Sequence, residues 1–456
     1  MKRRRLQFMD TLLQKAAGII VTMCLMVVTV GCGNTTEGKA MESTVAESIA
    51  IENAAIENTA IESTIIESGK TENGATQSSQ TESELENSAG LEAGSESSVN
   101  ALAENRNTEN EKKDMEDRTA MDIVKDMKIG WNIGNTLDST RTDITRIDAP
   151  YKFETAWGNP KVTQELIDSV LGAGFNVIRV PVSWTNHIGP EPEYLITDSW
   201  MERVKEVVDY AYDKGAYVIL NIHHEDWNYP YYDNFDHASA EMEAVWRQIA
   251  GVFKDYDEHL IFEGQNEPRK IGTPLEWNGG DAEGWEVVNR TNQVFIDTVR
   301  ASGGSNPYRM LMIPGYAANC SVGIQHIEVP EHDSRVIVSV HAYEPYDFAL
   351  NTNGRSEWNQ DTDAIDKLMK ALQTRFVDKG IPVIIGEFGA MNKDNESERA
   401  AWAEYYVSAA KKAGVPCIWW DNGLFEGDGE RFGLIDRITY ECRYPDLLAA
   451  LMRGTE

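Results

Sequence analysis

The stretch Leu260-Ile-Phe-Glu-Gly-Gln-Asn-Glu-Pro268 decides how this chain is read. An apolar run reads as a buried strand, and Pro268, which has no N–H, cannot extend a sheet ladder. Asn266 and Glu267 are therefore expected at the strand's C-terminal tip. About 120 residues later the pattern recurs: Pro382-Val-Ile-Ile-Gly-Glu387-Phe-Gly-Ala390 is a second apolar strand ending in a carboxylate.

Working outward, strands are expected at Lys128–Gly134, Asn176–Trp184, Tyr217–His224, Leu260–Pro268, Arg309–Tyr316, Val336–Tyr343, Pro382–Ala390 and Pro416–Asn422. Helical patterns fall mostly between or after them, at Val162–Ala173, Ser199–Asp213, Ala240–Tyr256, Trp285–Ala301, Asp363–Val377, Ser397–Ala413 and Tyr444–Met452. Gly174, Gly215 and Gly303 are placed to close helices. Strand–helix alternation predicts a parallel sheet. Eight strands over about 330 residues favour an α/β fold of the closed (β/α)8 TIM-barrel type over an open doubly wound sheet. No glycine-rich phosphate loop follows the first strand, which removes the usual nucleotide-binding signature.

The barrel is expected over residues 118–456, behind two segments of other composition. Lys2, Arg3, Arg4 and Arg5 precede the apolar run Ala16–Val30 and then Gly31-Cys32-Gly33. This reads as an export signal over 1–32, too short for an ordinary membrane span. The Gly-Cys ending resembles a bacterial lipobox, which would make Cys32 a lipidated N-terminus. Position −3 is Thr29 rather than an aliphatic residue, so plain cleavage and secretion, or an uncleaved anchor, stand as alternatives. Residues 33–117 hold no Phe, Trp or Tyr and repeat Ile-Glu-(Asn/Ser) at Ile51, Ile56, Ile61 and Ile66. A period of five fits neither a helix face nor a strand face. The segment reads as a disordered acidic linker, with a weak helix as the alternative.

The chain has 456 residues and a net charge of −32, and no basic cluster follows the first few residues. Nucleic-acid binding is disfavoured. Of five cysteines, only Cys320, Cys417 and Cys442 lie in the barrel region, without metal-ligand spacing. Free thiols are the expected state, with one disulfide pair as the alternative that export leaves open.

Barrel enzymes carry their chemistry at the C-terminal strand ends. Those ends supply Arg179, His223-His224, Asn266-Glu267, His341-Ala-Tyr343, Glu387 and Trp419-Trp420-Asp421-Asn422. Alone, a histidine is more often structural and a tryptophan more often core; polar and aromatic groups at most strand tips together are harder to dismiss. Cleaving a glycosidic bond needs a proton for the leaving oxygen and a carboxylate for the developing oxocarbenium ion, which Glu267 and Glu387 can provide. The competing structural reading makes either one a buried ion pair at the barrel rim. Arg179 is expected near Glu387, keeping it ionised, with Tyr343 hydrogen-bonded to it and Asn266 facing a sugar 2-hydroxyl.

With Asn266-Glu267-Pro268, Gly386-Glu387-Phe388-Gly389, Arg179 in Val-Ile-Arg-Val-Pro, His223, His341-Ala-Tyr343 and Trp420, the chain resembles glycoside hydrolase family five. Gly130-Trp-Asn-Ile-Gly-Asn135-Thr-Leu-Asp138 and Thr155-Ala-Trp157-Gly-Asn-Pro160 resemble its subgroup rich in endoglucanases and xyloglucanases. The resemblance spans about Met121 to Met452. It implies a retaining endo-β-1,4-glucanase with Glu267 as acid/base and Glu387 as nucleophile. It also implies a polar shell of Arg179, His223, Asn266, His341 and Tyr343, with His224 less secure, and Trp420 rather than Trp419 as the sugar platform. No cofactor or metal is implied, and a monomer is expected by analogy. The partner implied is a β-glucan polysaccharide, stacked on aromatics drawn from Trp157, Trp184, Trp227, Tyr231, Tyr232, Trp277 and Trp358, about half of them expected to be packing residues. The membrane is reached only through a lipid at Cys32. A xyloglucan- or mannan-specific enzyme, a non-catalytic glycan-binding barrel and a tethering protein acting through its linker are the alternatives.

Overall fold

The computed structural model describes residues 115–143 and 149–456. The export signal, Cys32 and nearly all of the linker lie outside the described residues. Met115, inside the segment read as linker, is already 1% exposed.

Eight parallel strands close in chain order: β1 (Gly130–Ile133), β2 (Val177–Val180), β3 (Tyr217–Asn221), β4 (Leu260–Glu263), β5 (Leu311–Asn319), β6 (Val336–His341), β7 (Val383–Phe388) and β8 (Cys417–Asp421). Gly130 pairs with Val177 on one side and Ile418 on the other, which closes the barrel. The expected fold class is the observed one. The principal helices are α1 (Ala120–Asp126), α2 (Gln164–Gly172), α3 (Asp198–Tyr212), α4 (Phe235–Val252), α5 (Ala282–Arg300), α6 (Asp363–Arg375), α7 (Glu396–Ala413) and α8 (Pro445–Gly454). Helices α2 to α8 follow the expected pattern; α1 was not anticipated.

Strand interiors divide along their length. At the N-terminal end Val177, Ile219, Ile261, Met310, Met312, Ile337, Ile384 and Ile418 form one apolar cluster with Ala120, Ile123 and Val124 of α1. Helix α1 thus plugs the lower mouth. It starts at a capping box, with the Thr119 hydroxyl accepting from Asp122 N–H and the Asp122 carboxylate accepting from Thr119 N–H. Burying each large side chain of this plug contributes roughly 1.5–3 kcal/mol before chain entropy is counted.

Three boundaries differ from expectation. Strand β4 ends at Glu263, so Asn266 and Glu267 lie in the following loop. Gly264 makes that turn possible by close packing: an added Cβ would lie 2.6 Å from the Phe295 ring. The Pro268 carbonyl then accepts from Ala317 N–H at 2.9 Å. Strand β5 runs on to Asn319 through Ala317 and Ala318, both at positive φ, where its register with β6 shifts. Helix α4 begins at Phe235 rather than Ala240, because a single turn at Tyr232–Asn234 leads straight into it. Gly174, at φ +110°, closes α2 against Met452, whose Sδ leaves no room for a Cβ. Cys320, Cys417 and Cys442 are free thiols, as expected.

Candidate active site

Above the apolar plug the same strands carry polar side chains. Asn132 pairs in register with Arg179, and Asn221 with Glu263. The centre of this layer is Arg179, which is fully buried. Its Nε donates to Glu263 Oε2 at 2.7 Å. Its Nη1 donates to Asn132 Oδ1 and Glu387 Oε1, both at 2.9 Å, and its Nη2 to Asn266 Oδ1 at 2.7 Å. One guanidinium therefore fixes the strand below Glu267, the amide beside it and the Glu387 carboxylate.

Glu387 also accepts from the Tyr343 hydroxyl at Oε2, 2.9 Å. His341 Nδ1 lies 2.7 Å from Glu267 Oε1 and 3.6 Å from Glu387 Oε2. One ligand-type atom from each of Glu267, His341 and Glu387 lies within 4.8 Å of the others. Arg269, just after Glu267, places Nη1 3.6 Å from the Glu267 carboxylate and stacks 4.1 Å over the Trp277 ring.

Burial pushes the Glu387 carboxyl above its ordinary range, against the pull of His341, Arg179 and the Tyr343 hydroxyl. Burial also raises Glu267, but the His341 hydrogen bond and the His341 and Arg269 charges outweigh it and leave Glu267 low. His341 is opposed by burial and raised by both carboxylates. The three groups share protons as one unit.

His223 is held neutral, first by burial and then by the His224 and Arg179 charges. Asn221 Nδ2 donates to its Nδ1 at 3.1 Å, which places the imidazole proton on Nε2. The His223 ring lies parallel to Trp420, with centroids 5.9 Å apart. His224 meets His223 edge-on and approaches Trp157 at 5.6 Å; burial lowers it to about 4.

Trp420 packs with Met391 and Phe432 beside Tyr343, whereas Trp419 points outward, fully buried, with Nε1 on the Phe432 carbonyl. Asn135 sits at φ +55° in the loop after β1, its N–H donating to Asp138 Oδ2. Trp157, Tyr232 and Trp277 are exposed on the rim, whereas Trp184, Trp227 and Trp358 are buried packing residues. Trp184 and Trp227 anchor Glu225, through the Trp184 N–H and the Trp227 indole.

Sequence reading missed Glu263, Asn132, Asn221, Ser339 and Arg269. A signal was present: Asn132, Asn221, Glu263 and Ser339 are single polar residues inside apolar strand runs. Among the described residues, three groups of acidic and histidine side chains come close enough to consider for a metal: Glu267–His341–Glu387, Asp138–His223–His224 and Asp257–Glu258–His259. In the first, Arg179 and Tyr343 already occupy Glu387; in the second, Asp138 uses both oxygens on the Asn135 and Thr136 N–H groups. The third lies at the barrel's opposite end, before β4.

Residues 138–426 match the family model for cellulase, glycosyl hydrolase family 5. The chain belongs to glycosyl hydrolase family 5. This family 5 chain is 51% identical over 345 residues to Endoglucanase B of Neocallimastix patriciarum, covering 75% of this chain and 73% of that protein. Among solved structures it resembles a GH5-4 broad specificity endoglucanase from Ruminococcus champanellensis with bound cellotriose (TM-score 0.72, 48% identity, 74% of this chain, 99% of that one). It also resembles XEG5A, a GH5 xyloglucan-specific endo-beta-1,4-glucanase from a metagenomic library, in complex with cellotriose (TM-score 0.70, 42% identity, 73% and 98% covered). The family 5 chain is a glycoside hydrolase of the cellulase type, and its relatives support endo-β-1,4-glucanase activity.

Proposed function

We propose that this enzyme is a retaining endo-β-1,4-glucanase in which Glu387 is the nucleophile and Glu267 the acid/base. The observation that carries the reading is the close approach of the two carboxylates, within 4.8 Å between ligand-type oxygens. Retaining enzymes hold their carboxyl groups about 5–5.5 Å apart, whereas inverting enzymes leave about 6.5–9.5 Å for a water.

In the first step a Glu387 oxygen attacks the anomeric carbon. The bond to the glycosidic oxygen breaks, and Glu267 gives that oxygen its proton. Arg179 and Tyr343 hold the attacking carboxylate in orientation. In the second step Glu267 takes a proton from water, which attacks the same carbon and releases Glu387. In the free site His341 is raised and holds Glu267 low across their 2.7 Å contact, so Glu267 takes up the proton it delivers only as substrate displaces His341 from it. An approaching glycosidic oxygen gives Glu267 a partner for that proton while Arg179 keeps the charge on Glu387. Asn266 Oδ1 is taken by Arg179, and its Nδ2 has no acceptor among the described residues, leaving it as donor to a sugar 2-hydroxyl.

Trp420 sits on the Glu387 side, so the ring that becomes attached stacks there. A cavity of about 340 Å³ lined by Glu267, His224, Asp226, Tyr229 and Arg269 lies on the acid side and takes the leaving sugar. Exposed Trp157 and Trp277 extend an aromatic rim that suits internal cleavage of a glucan chain. The xyloglucan-specific relative supports a second reading, in which branched glucan is preferred. Hydrolysis of carboxymethylcellulose, lichenan, xyloglucan and mannan, with anomeric configuration of the first product read by NMR, tests both. Retained configuration on a glucan is expected. Inversion overturns the mechanism, and activity confined to mannan overturns the substrate class.

The N-terminal sequence supports export with Cys32 as a lipid anchor, the linker holding the barrel off the surface. Cys32→Ser should release the enzyme from the membrane fraction; unchanged fractionation overturns the anchor.

A further inference from the structure

The deciding stretch carries two carboxylates, and the double displacement uses only Glu267. Glu263, one strand position below the site, is completely buried. All of its hydrogen bonds are accepted: Arg179 Nε at 2.7 Å and Asn221 Nδ2 at 3.1 Å on Oε2, and Ser339 Oγ at 2.7 Å on Oε1. A donor set drawn from three strands, one member a cation, fits an ionised carboxylate. Arg179 is therefore a single cation between two buried anions, Glu263 on Nε and Glu387 on Nη1.

We propose that Glu263 is a positioning residue for the nucleophile: it takes up part of the Arg179 charge and fixes the guanidinium plane, so that Glu387 is oriented without being fully neutralised. One cation against two anions leaves a net negative charge in this layer, and it falls on the carboxylate that opens to the cleft. Without Glu263, Arg179 has Glu387 as its sole counter-ion. The nucleophile then ionises more easily and attacks less readily, because its electron pair is held by a full positive charge. The other groups facing Glu387 are Glu267 from the loop after β4, His341 and Tyr343 from β6 and its loop, and Glu430 from the loop after β8. None of them touches Glu263. Among its hydrogen-bond partners, Arg179 is the one that also bonds Glu387.

The inference rests on Glu387 being the nucleophile, so Glu387→Gln is measured alongside. The test is the pH profile of kcat/KM on a soluble glucan for Glu263→Gln and Glu263→Asp. The acid limb reports the first ionisation of the Glu267/Glu387 pair. In Glu263→Gln it should move down by about 1 pH unit, with kcat at the optimum about ten-fold lower. Glu263→Asp keeps the charge, and its acid limb should return close to the native position. An acid limb that stays put in Glu263→Gln, whatever happens to kcat, overturns the proposal and leaves Glu263 a packing residue. Should Glu263→Gln not fold, Ser339→Ala serves: it takes a donor from Glu263, draws Arg179 toward it and moves the acid limb up. An unmoved limb there overturns the proposal equally. Activity surviving in Glu387→Gln would instead sink the nucleophile assignment.

Discussion

The two ends of the same eight strands have opposite interiors. At the N-terminal end, isoleucines, methionines and Val177 from β2 to β8 meet α1 in an apolar plug. Two residues further along, at the C-terminal end, Asn132, Arg179, Asn221, Glu263 and Ser339 form a continuous hydrogen-bond network under Glu267 and Glu387. Below, unpaired polarity would destabilise the barrel; above, Asn132, Arg179, Asn221, Glu263 and Ser339 are each hydrogen-bonded, and the network fixes the reacting groups. Stability and chemistry thus occupy adjacent layers of one barrel, and substitutions should sort accordingly.

The largest separation is expected at the top. Glu387→Gln and Glu267→Gln should each lower kcat/KM on glucan about 10³-fold or more while the melting temperature stays near native. Steady-state rates and a thermal melt on the same sample check this. Near-native turnover in either variant would end the assignment of roles. The reverse pattern is expected at the bottom. Ile261 is fully buried, two positions before Glu263 on the same inner face. Ile261→Ala should destabilise by about 2–5 kcal/mol, yet leave kcat/KM per folded molecule unchanged. A loss of kcat/KM at 25 °C with native-like folding would show that the plug also sets the geometry of the layer above it.

How much of this was legible in the sequence follows the same division. Apolar runs alternating with amphipathic helices gave the barrel, because hydrophobic periodicity is local. Glu267 and Glu387 stood out because each interrupts such a run beside Pro268 or Gly386. Trp420 could be preferred over Trp419 only by its neighbours Asp421 and Asn422, and it is strand alternation that puts Trp420 beside Tyr343 and Trp419 in the outer core. Glu263 was passed over because its local signal, a lone carboxylate in an apolar run, does not say which partners it meets. Its partners Arg179, Asn221 and Ser339 come from β2, β3 and β6, a pairing that exists only once the barrel closes. Helix α1 went unread because seven residues are too few for a firm period, and its role comes from the hole it fills. Trp184 and Trp227 were drawn into the substrate rim by composition, but their indole N–H groups are bonded inside.

A smaller effect is expected where the cleft meets solvent. Arg269 lowers the proton affinity of Glu267 across 3.6 Å. Without that cation Glu267 keeps its proton to higher pH, so Arg269→Gln should move the basic limb of kcat/KM up by about half a pH unit. Arg269→Lys should largely restore it. Movement of the acid limb instead would mean that Arg269 acts on Glu387, which it does not contact.

The smallest expected effect lies at the far end of the molecule. Thr119 caps α1: its hydroxyl accepts the Asp122 N–H at 3.3 Å, and its own N–H donates to Asp122 Oδ2 at 3.0 Å. Thr119→Ala removes the first of these and the 2.6 Å side-chain contact with Asp122, but keeps the backbone half of the box. The loss should be about 1 kcal/mol, read as a small drop in melting temperature. Because α1 meets the apolar plug and, at the same end of the barrel, Asn176, Tyr217 and Ser334, both limbs of the pH profile should stay in place. Dependence of either limb on Thr119 would mean that strain crosses the layer of Ile219 and Ile261 to reach Arg179. The two ends of the strands would then be one mechanical unit rather than two layers with separate tasks.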